Sequence, residues 1–359
     1  MAGTSDFPQS VADWLAREER QEVLAVDSHT GGNPTRIVLS GIVPPAGVTG
    51  VDATRVWLRD HADHWRRRLV HEPRGGGLTC AVLPVTTTED ECDIGAVILE
   101  PGSYPPMCGH CMIGFASVIV ELNLLPNLFE ADAAETRFRI RSPAGPVGVV
   151  ARREADRFTT VTLTNVDSYV VTPAQDVVVD GQTMPVELLY GGDFYISVDA
   201  DRIGLSLERD NATEIVRLAR LLRETYTRDG VHDPLSGALL DVYQVLFYRR
   251  DPARPDWAKI VVVAPPGVID RSPCGTGTSA IFAKLVTEGK LTPDSHLTTE
   301  SIIGSTFSVT ADAVRKDAAL DNGERLLVRP ALTGRAYING FLSIVADADD
   351  ALADGFPPL

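Results

Sequence analysis

Long hydrophobic runs are missing from this chain of 359 residues: nowhere do about eighteen apolar residues follow one another, so a membrane-spanning helix is excluded. Residues Met1 to Glu22 mix acids and bases around a weak amphipathic stretch, with Trp14 and Leu15 as its main apolar residues. They lack the basic segment followed by an apolar one that marks a secretory leader, and a cytoplasmic location is the expectation. An excess of positive charge is also lacking. Lys and Arg number 33 against 49 Asp and Glu, a net charge of −16. A surface of that sign cannot neutralise a phosphate backbone, so nucleic acid is excluded as a partner. A small anionic ligand is not excluded, because a few local donors override a global field. Cysteines are few and odd in number, five scattered through a long chain, which is not a disulfide framework. The question is which of them react. Cys80 and Cys92 sit in or beside strand-like stretches and read as buried small hydrophobes.

With 44% hydrophobic and 23% charged residues the composition is that of a globular protein, and the length favours two domains over one. Strand signals dominate. Leu24–Asp27, Thr35–Ser40, Cys80–Pro84 and Ile94–Leu99 come first, then Arg137–Ile140, Val147–Ala151, Thr159–Leu163 and Asp176–Val179, and later Val242–Tyr248 and Lys259–Val263. Helical spacing is expected from about Ala53 to Leu69, with Trp57, His61, Trp65 and Leu69 on one face, and from about Ala212 to Tyr226. Strands and helices mixed without regular βαβ alternation predict an α+β fold, not a doubly wound sheet.

Two further helices carry the argument. One opens just after Cys108 and runs to Leu122; the other opens just after Cys274 and runs to Val286. Each follows a proline-containing turn and has the form Cys-Gly-x opening an apolar helix. The two cysteines lie close to half a chain apart, which suggests a diverged internal duplication. A helix N-terminus presents unsatisfied N–H groups and the positive end of the macrodipole. A thiol there is expected to have its pKa lowered from about 8.5 toward neutrality, and the same N–H groups cradle a carboxylate. Two such helices facing one cleft suit proton removal from the α-carbon of an amino acid. The amides hold the carboxylate and stabilise the developing charge. One cysteine takes the proton as thiolate, and the other delivers one to the opposite face as thiol. The pair must share one proton, so its titration is coupled. Gly109, Gly275 and Gly277 allow close approach of substrate and backbone.

Two other chemistries compete for these residues. Gly275-Thr276-Gly277-Thr278-Ser279-Ala280 has the G-x-G-x-x-A form of a dinucleotide-binding turn. However, Pro265, Pro266 and Pro273 intervene between the upstream apolar run and the glycines, so the tight strand–turn–helix is absent. Cys108, His110 and Cys111 could supply zinc ligands, but the sequence shows no second cluster to complete the set. For Cys274 the plainest alternative is a small core residue, against which stand its polar neighbours Asp270, Arg271, Ser272, Thr276 and Thr278.

The chain resembles the proline racemase family, which includes 4-hydroxyproline epimerases and trans-3-hydroxyproline dehydratases. The resemblance rests on Asp27-Ser28-His29-Thr30-Gly31-Gly32-Asn33-Pro34-Thr35-Arg36, Glu72-Pro73-Arg74-Gly75, Met107-Cys108-Gly109-His110, Tyr190-Gly191-Gly192-Asp193 and Asp270-Arg271-Ser272-Pro273-Cys274-Gly275-Thr276-Gly277-Thr278-Ser279, with Ser301–Ser305 and Thr333–Tyr337 in support. It implies a fold like diaminopimelate epimerase, two pseudo-symmetric halves, each a curved mixed sheet around a central helix. The first half would be residues 1–154, completed by the C-terminal strand (about 340–359), and the second 155–339. It also implies that Cys108 and Cys274 are the catalytic bases, that Gly109, His110, Gly275 and Thr276 bind the carboxylate, and that Asp270 contacts the ring amine. No cofactor and no metal is expected, in keeping with a secondary amine that cannot form the ordinary neutral aldimine of pyridoxal phosphate. The expected partner is a small molecule, proline or hydroxyproline, and a homodimer is expected by analogy.

Dehydratases of the family typically carry threonine at the second thiol position, so two cysteines favour racemase or epimerase. A non-catalytic binding protein on the same fold is the reading from another class. The chain departs from the family at Asn33, where glutamate is common, and at Gly76, where histidine is common. It departs again at Cys111-Met112, where epimerases tend to have Gly-Thr and racemases Asn-Ser. These departures bear on which proline derivative is the substrate.

Overall fold

A helix that is apolar on every side needs protein on every side. The segments Gly109–Glu121 and Gly275–Thr287 have that character: neither carries a charged residue before Glu121 and Lys284 respectively, and both are buried through their first eleven residues or more. The computed structural model describes residues 14, 20–87, 91–126, 133–154, 157–317 and 325–357, so most of the amphipathic stretch expected before Glu22 lies outside the described residues.

The first strands among the described residues are β1 (Arg20–Thr30) and β2 (Asn33–Ser40), an antiparallel hairpin. The single helix expected from Ala53 to Leu69 is instead two, α1 (Gly50–His61) and α2 (Asp63–Val70). Ala62, at φ −140° and ψ 30°, breaks the helix between them. Leu58 and Leu69 are both fully buried in one core with Val70, while Trp57 and Trp65 are only partly buried and His61 is exposed. Asp63 then opens α2, held by Arg66 at 2.7 Å and by the Tyr104 hydroxyl at 2.9 Å.

Next come β3 (Cys80–Val85), β4 (Ile94–Leu99), helix α3 (Gly109–Glu121), β5 (Glu135–Ser142), β6 (Gly145–Glu154) and β7 (Arg157–Thr164). Alternate residues of β5 (Thr136, Phe138, Ile140) are buried, as expected of a strand with one face on a core. Beyond β7 the chain forms β8 (Tyr169–Val179), β9 (Gln182–Tyr190), β10 (Phe194–Asp199), α4 (Ala212–Tyr226), the short pair β11 (Val231–His232) and β12 (Leu239–Leu240), β13 (Gln244–Asp251), β14 (Arg254–Ala264) and β15 (Val268–Ile269). Helix α5 (Gly275–Thr287), β16 (Leu297–Glu300), β17 (Thr306–Lys316), β18 (Leu326–Gly334) and β19 (Ala336–Asp347) complete it.

Helix α3 packs among β1, β2, β3, β6, β7 and β19, and α5 among β8, β9, β14, β17 and β18. Each apolar helix is thus wrapped by strands. β7 joins the two groups, since it pairs with β6 on one side and with β18 on the other, from Val161↔Gly334 to Thr164↔Ala331. The last strand returns to the first: β19 runs antiparallel to β1 over its whole length, from Thr30↔Ala336 to Arg20↔Asp347. The fold is α+β, as the sequence predicts. Among the described residues no helix is long and apolar enough to cross a membrane.

Candidate active site

The starts of α3 and α5 are built alike. Pro105 and Pro106 precede one and Pro273 the other, holding the chain out of the helix until the cysteine. Cys108 and Cys274 are the N-cap residues, and the first backbone bonds back to them come from Met112 N–H (3.0 Å) and Thr278 N–H (2.7 Å). The N–H groups of Gly109, His110, Cys111, Gly275 and Thr276 therefore have no acceptor within their own helices. Cys274 has φ +56°, a left-handed conformation costly for a side chain with a Cβ, and its Sγ accepts the Gly277 N–H at 3.4 Å.

The two helix starts meet through glycine. A Cβ on Gly109 would lie 2.6 Å from Gly275 Cα, and one on Gly275 2.7 Å from Gly109 Cα. No side chain fits between these backbones, so the two sets of free N–H groups open onto the same space. That space is a cavity of about 50 Å3, and all seven residues named from the sequence (Cys108, Gly109, His110, Asp270, Cys274, Gly275 and Thr276) line it. A volume this small suits a small molecule and leaves no room for a dinucleotide.

Around Cys108 the partners come from distant strands. His110 Nδ1 is 3.2 Å from Cys108 Sγ. The imidazole also faces the Asn33 amide, whose Nδ2 is 3.2 Å from Nε2. The Asn33 Oδ1 accepts the Arg271 N–H at 3.1 Å, which fixes the amide and turns its NH2 toward the ring. Thr30 Oγ1 holds the His110 carbonyl at 2.9 Å. Around Cys274, the Tyr195 hydroxyl lies 3.4 Å from Sγ and 2.5 Å from Thr276 Oγ1. The Asp270 carboxylate accepts from Ser272 N–H at 2.8 Å and Ser272 Oγ at 2.9 Å.

Burial corrects one expectation. A lowered thiol pKa was expected at both helix starts, but desolvation pushes both thiols up. At Cys108 the neighbouring imidazole opposes the rise. At Cys274 the Asp270 charge adds to it, against the Tyr195 hydroxyl, the Gly277 N–H and Thr276. Both cysteines are 6% exposed, so burial disfavours the thiolate at each helix start. Burial would lower His110, but the negative charges of Cys108, Asp270 and Glu100 more than offset it and raise the imidazole to about 9. The Asn33 NH2 works the other way, favouring a ring with a free lone pair at Nε2. In either form Nδ1–H points at the Cys108 sulfur.

Asn33, Cys80, Glu100, Tyr195 and Gln244, which sequence reasoning did not place in the site, also line the cavity. For Tyr195 there was a signal, its position two residues beyond Tyr190-Gly191-Gly192-Asp193. Gly191 packs so tightly that a Cβ would lie 2.1 Å from the Thr276 carbonyl, which carries the following strand to the start of α5. Cys80 is buried as expected, yet it faces the cavity. Of the departures from the family, Met112 and Cys111 are both fully buried within α3, and a Cβ at Gly76 would meet open space.

Comparison with known proteins agrees with this geometry. The sequence model of the family described as proline racemase matches residues 25–357. A proline racemase of Acetoanaerobium sticklandii is 33% identical over 336 residues, covering 92% of this chain and 97% of that protein. A trans-3-hydroxy-L-proline dehydratase of Bacillus thuringiensis is 30% identical over 339 residues, covering 92% of this chain and 96% of that one. The crystal structure of a hydroxyproline epimerase from Agrobacterium vitis, with bound trans-4-hydroxy-L-proline, superposes with a TM-score of 0.84 at 30% identity, covering 95% of this chain and 96% of its own. With its family pattern spanning nearly the whole chain and its two cysteine-capped helices meeting over one cavity, the chain belongs to the proline racemase family.

Proposed function

We propose that the protein is a cofactor-independent racemase or epimerase that inverts the α-carbon of a proline-type amino acid, proline or 4-hydroxyproline. The observation that supports this reading is the Gly109–Gly275 contact, which brings two cysteine-capped helix starts together at one small cavity that both cysteines line. The substrate carboxylate lies on the free N–H groups of Gly109, His110, Gly275 and Thr276, and the ring amine donates to Asp270. One cysteine, as thiolate, takes the α-proton; the other, as thiol, gives a proton to the opposite face, and the roles exchange in the reverse direction. Cys108 has the imidazole of His110 at 3.2 Å to take up its proton, whereas Cys274 stands near the Asp270 carboxylate. The resting enzyme in this proposal has Cys108 ionised and Cys274 protonated. A homodimer belongs to the same proposal and is read by sedimentation.

The test is turnover of L-proline and of the hydroxyproline isomers in D2O. One of them should give α-deuterated product of inverted configuration, and Cys108→Ser and Cys274→Ser should each slow it by about 10³-fold or more. Exchange of the α-proton without inversion sinks the two-base mechanism. Formation of a cyclic imine from trans-3-hydroxy-L-proline would assign the chain to the dehydratases instead, against the cysteine at position 274.

A further inference from the structure

Three of the five cysteines converge on one side of the cavity. Cys80, on β3, and Cys111, in the first turn of α3, are not used by the proposed reaction, yet their sulfurs and a ring nitrogen of His110 all lie within 4.8 Å of one another. Cys111 Sγ is 3.4 Å from His110 Nε2, and Cys108 Sγ is 3.9 Å from the same nitrogen. Around a tetrahedral zinc ion, with bonds of about 2.3 Å to sulfur and about 2.0 Å to nitrogen, neighbouring sulfur and nitrogen donors stand roughly 3.5 Å apart. The Cys111–His110 spacing matches that value, and Cys108, at 3.9 Å from the same nitrogen, has to move inward to join Cys80, His110 and Cys111 around the ion. We infer that Cys80, Cys108, His110 and Cys111 form a Cys3His site for one zinc ion, whose binding takes Cys108 out of the catalytic pair and switches the enzyme off.

The chemistry of the donors fits a soft d10 cation and no hard one: three sulfurs and an imidazole, without a carboxylate or carbonyl in the set. The charge is also suited to a buried place. Three thiolates and Zn2+ leave one negative charge, and that charge sits at the N-terminus of α3, where the macrodipole favours it. Cys80 and Cys111 release their thiol protons, and His110 gives up the proton it took from Cys108, so three protons leave to solvent as one ion enters and no oxidant is needed. Entry is open, because Cys80, Cys108 and His110 line the cavity. Cys108, His110 and Cys111 stand together in the sequence, but the fourth donor, Cys80, comes from β3, far from that segment. β2 brings it there: its Thr35 pairs with Cys80, and α3 packs on both strands.

Loss of activity on zinc binding rests on the two-base reading, but the site itself does not, and the experiment separates them. Reduced, chelator-treated protein is titrated anaerobically with Co2+, followed by Zn2+. One equivalent of Co2+ should give near-ultraviolet sulfur-to-cobalt charge transfer and the visible bands of a tetrahedral site, bleached by one equivalent of Zn2+. Cys111→Ala should lose these bands and keep metal-free turnover, with zinc inhibition lost in parallel, and Cys80→Ala should lose the bands as well. Cys274→Ser, inactive, should keep the bands. Cys111→Ser, which preserves volume, guards against a folding defect in the alanine variant. No cobalt bands in the wild type overturns the site, as do bands that survive in both Cys80→Ala and Cys111→Ala, which would place the metal between the two catalytic thiols.

Discussion

A methyl group at Gly109 would lie 2.6 Å from a backbone carbon of Gly275, and neither backbone can withdraw without moving the helix it opens. Gly109→Ala is therefore expected to push α3 and α5 apart. Overpacking of this kind costs about 1–3 kcal/mol, and the thermal midpoint should fall accordingly. Turnover should be lost well beyond what that destabilisation explains, because the two thiols no longer face one substrate. An unchanged rate in a folded Gly109→Ala protein would show that the contact does not set the catalytic geometry. Tyr195 makes a second argument at this scale. Burial and the nearby Cys274 charge keep its phenol protonated, so it is a standing donor to the Cys274 thiolate. A hydrogen bond to a charged group contributes about 1.5–3 kcal/mol, and Tyr195→Phe should slow turnover about 10- to 100-fold with little change in KM. Alkylation of Cys274 by iodoacetamide should slow as well, a readout that packing alone would not move.

Among the elements, those with a local cause were legible in the sequence. Helices α3, α4 and α5 begin and end where capping and periodicity place them, and β1 to β8 fall where short apolar or alternating runs predict strands. What stayed hidden was decided by tertiary packing. Nothing local marks Ala62 as a break between α1 and α2. β17 reads poorly because its second half, from Ala311 to Lys316, has no buried face. In the site, the residues adjacent to Cys108 and Cys274 were readable, whereas Tyr195, Glu100 and Gln244 reach the cavity only through strand pairing.

One element-level contact was invisible for the same reason. Arg325, at the start of β18, forms a two-pronged pair with Asp233 beside β11, at 2.8 and 3.0 Å, and both side chains are under 10% exposed. Leaving Arg325 without its partner should cost about 3–5 kcal/mol, measurable for Asp233→Ala by urea unfolding at pH 7. The Arg325 hydrogen bonds hold the Asp233 carboxyl below the ordinary carboxylate range, despite burial. Its contribution is therefore full above the unfolded value of about 3.9 and is lost as pH falls through the lower folded value. The gap between wild type and Asp233→Ala should accordingly narrow only below about pH 4. A gap that shrinks between pH 7 and 5 would assign the stability to something other than this pair.

For the molecule as a whole, the pairing of β19 with β1 and of β7 with both β6 and β18 makes the chain's two ends and its middle interdependent. We propose that β7 is the seam between the two halves expected from the sequence. The site at that junction has an electrostatic character opposite to the molecule around it. The net charge is −16, which repels anions at long range, while two helix N-termini converge on the cavity and attract a carboxylate at short range. The long-range part is screened by salt, with a Debye length of about 10 Å at 0.1 M, and the buried part is not. A proline-type substrate is a zwitterion with no net charge and should have a KM that hardly responds to ionic strength. Pyrrole-2-carboxylate, a planar mimic of the carbanion with a full negative charge, should bind more tightly as salt rises from about 0.01 to 0.15 M, where screening removes most of the repulsion. Calorimetric titration across that range reads the one, and initial rates the other. Weaker pyrrole-2-carboxylate binding at higher salt would mean that the field of the helix ends reaches solvent and outweighs the charge of the whole chain.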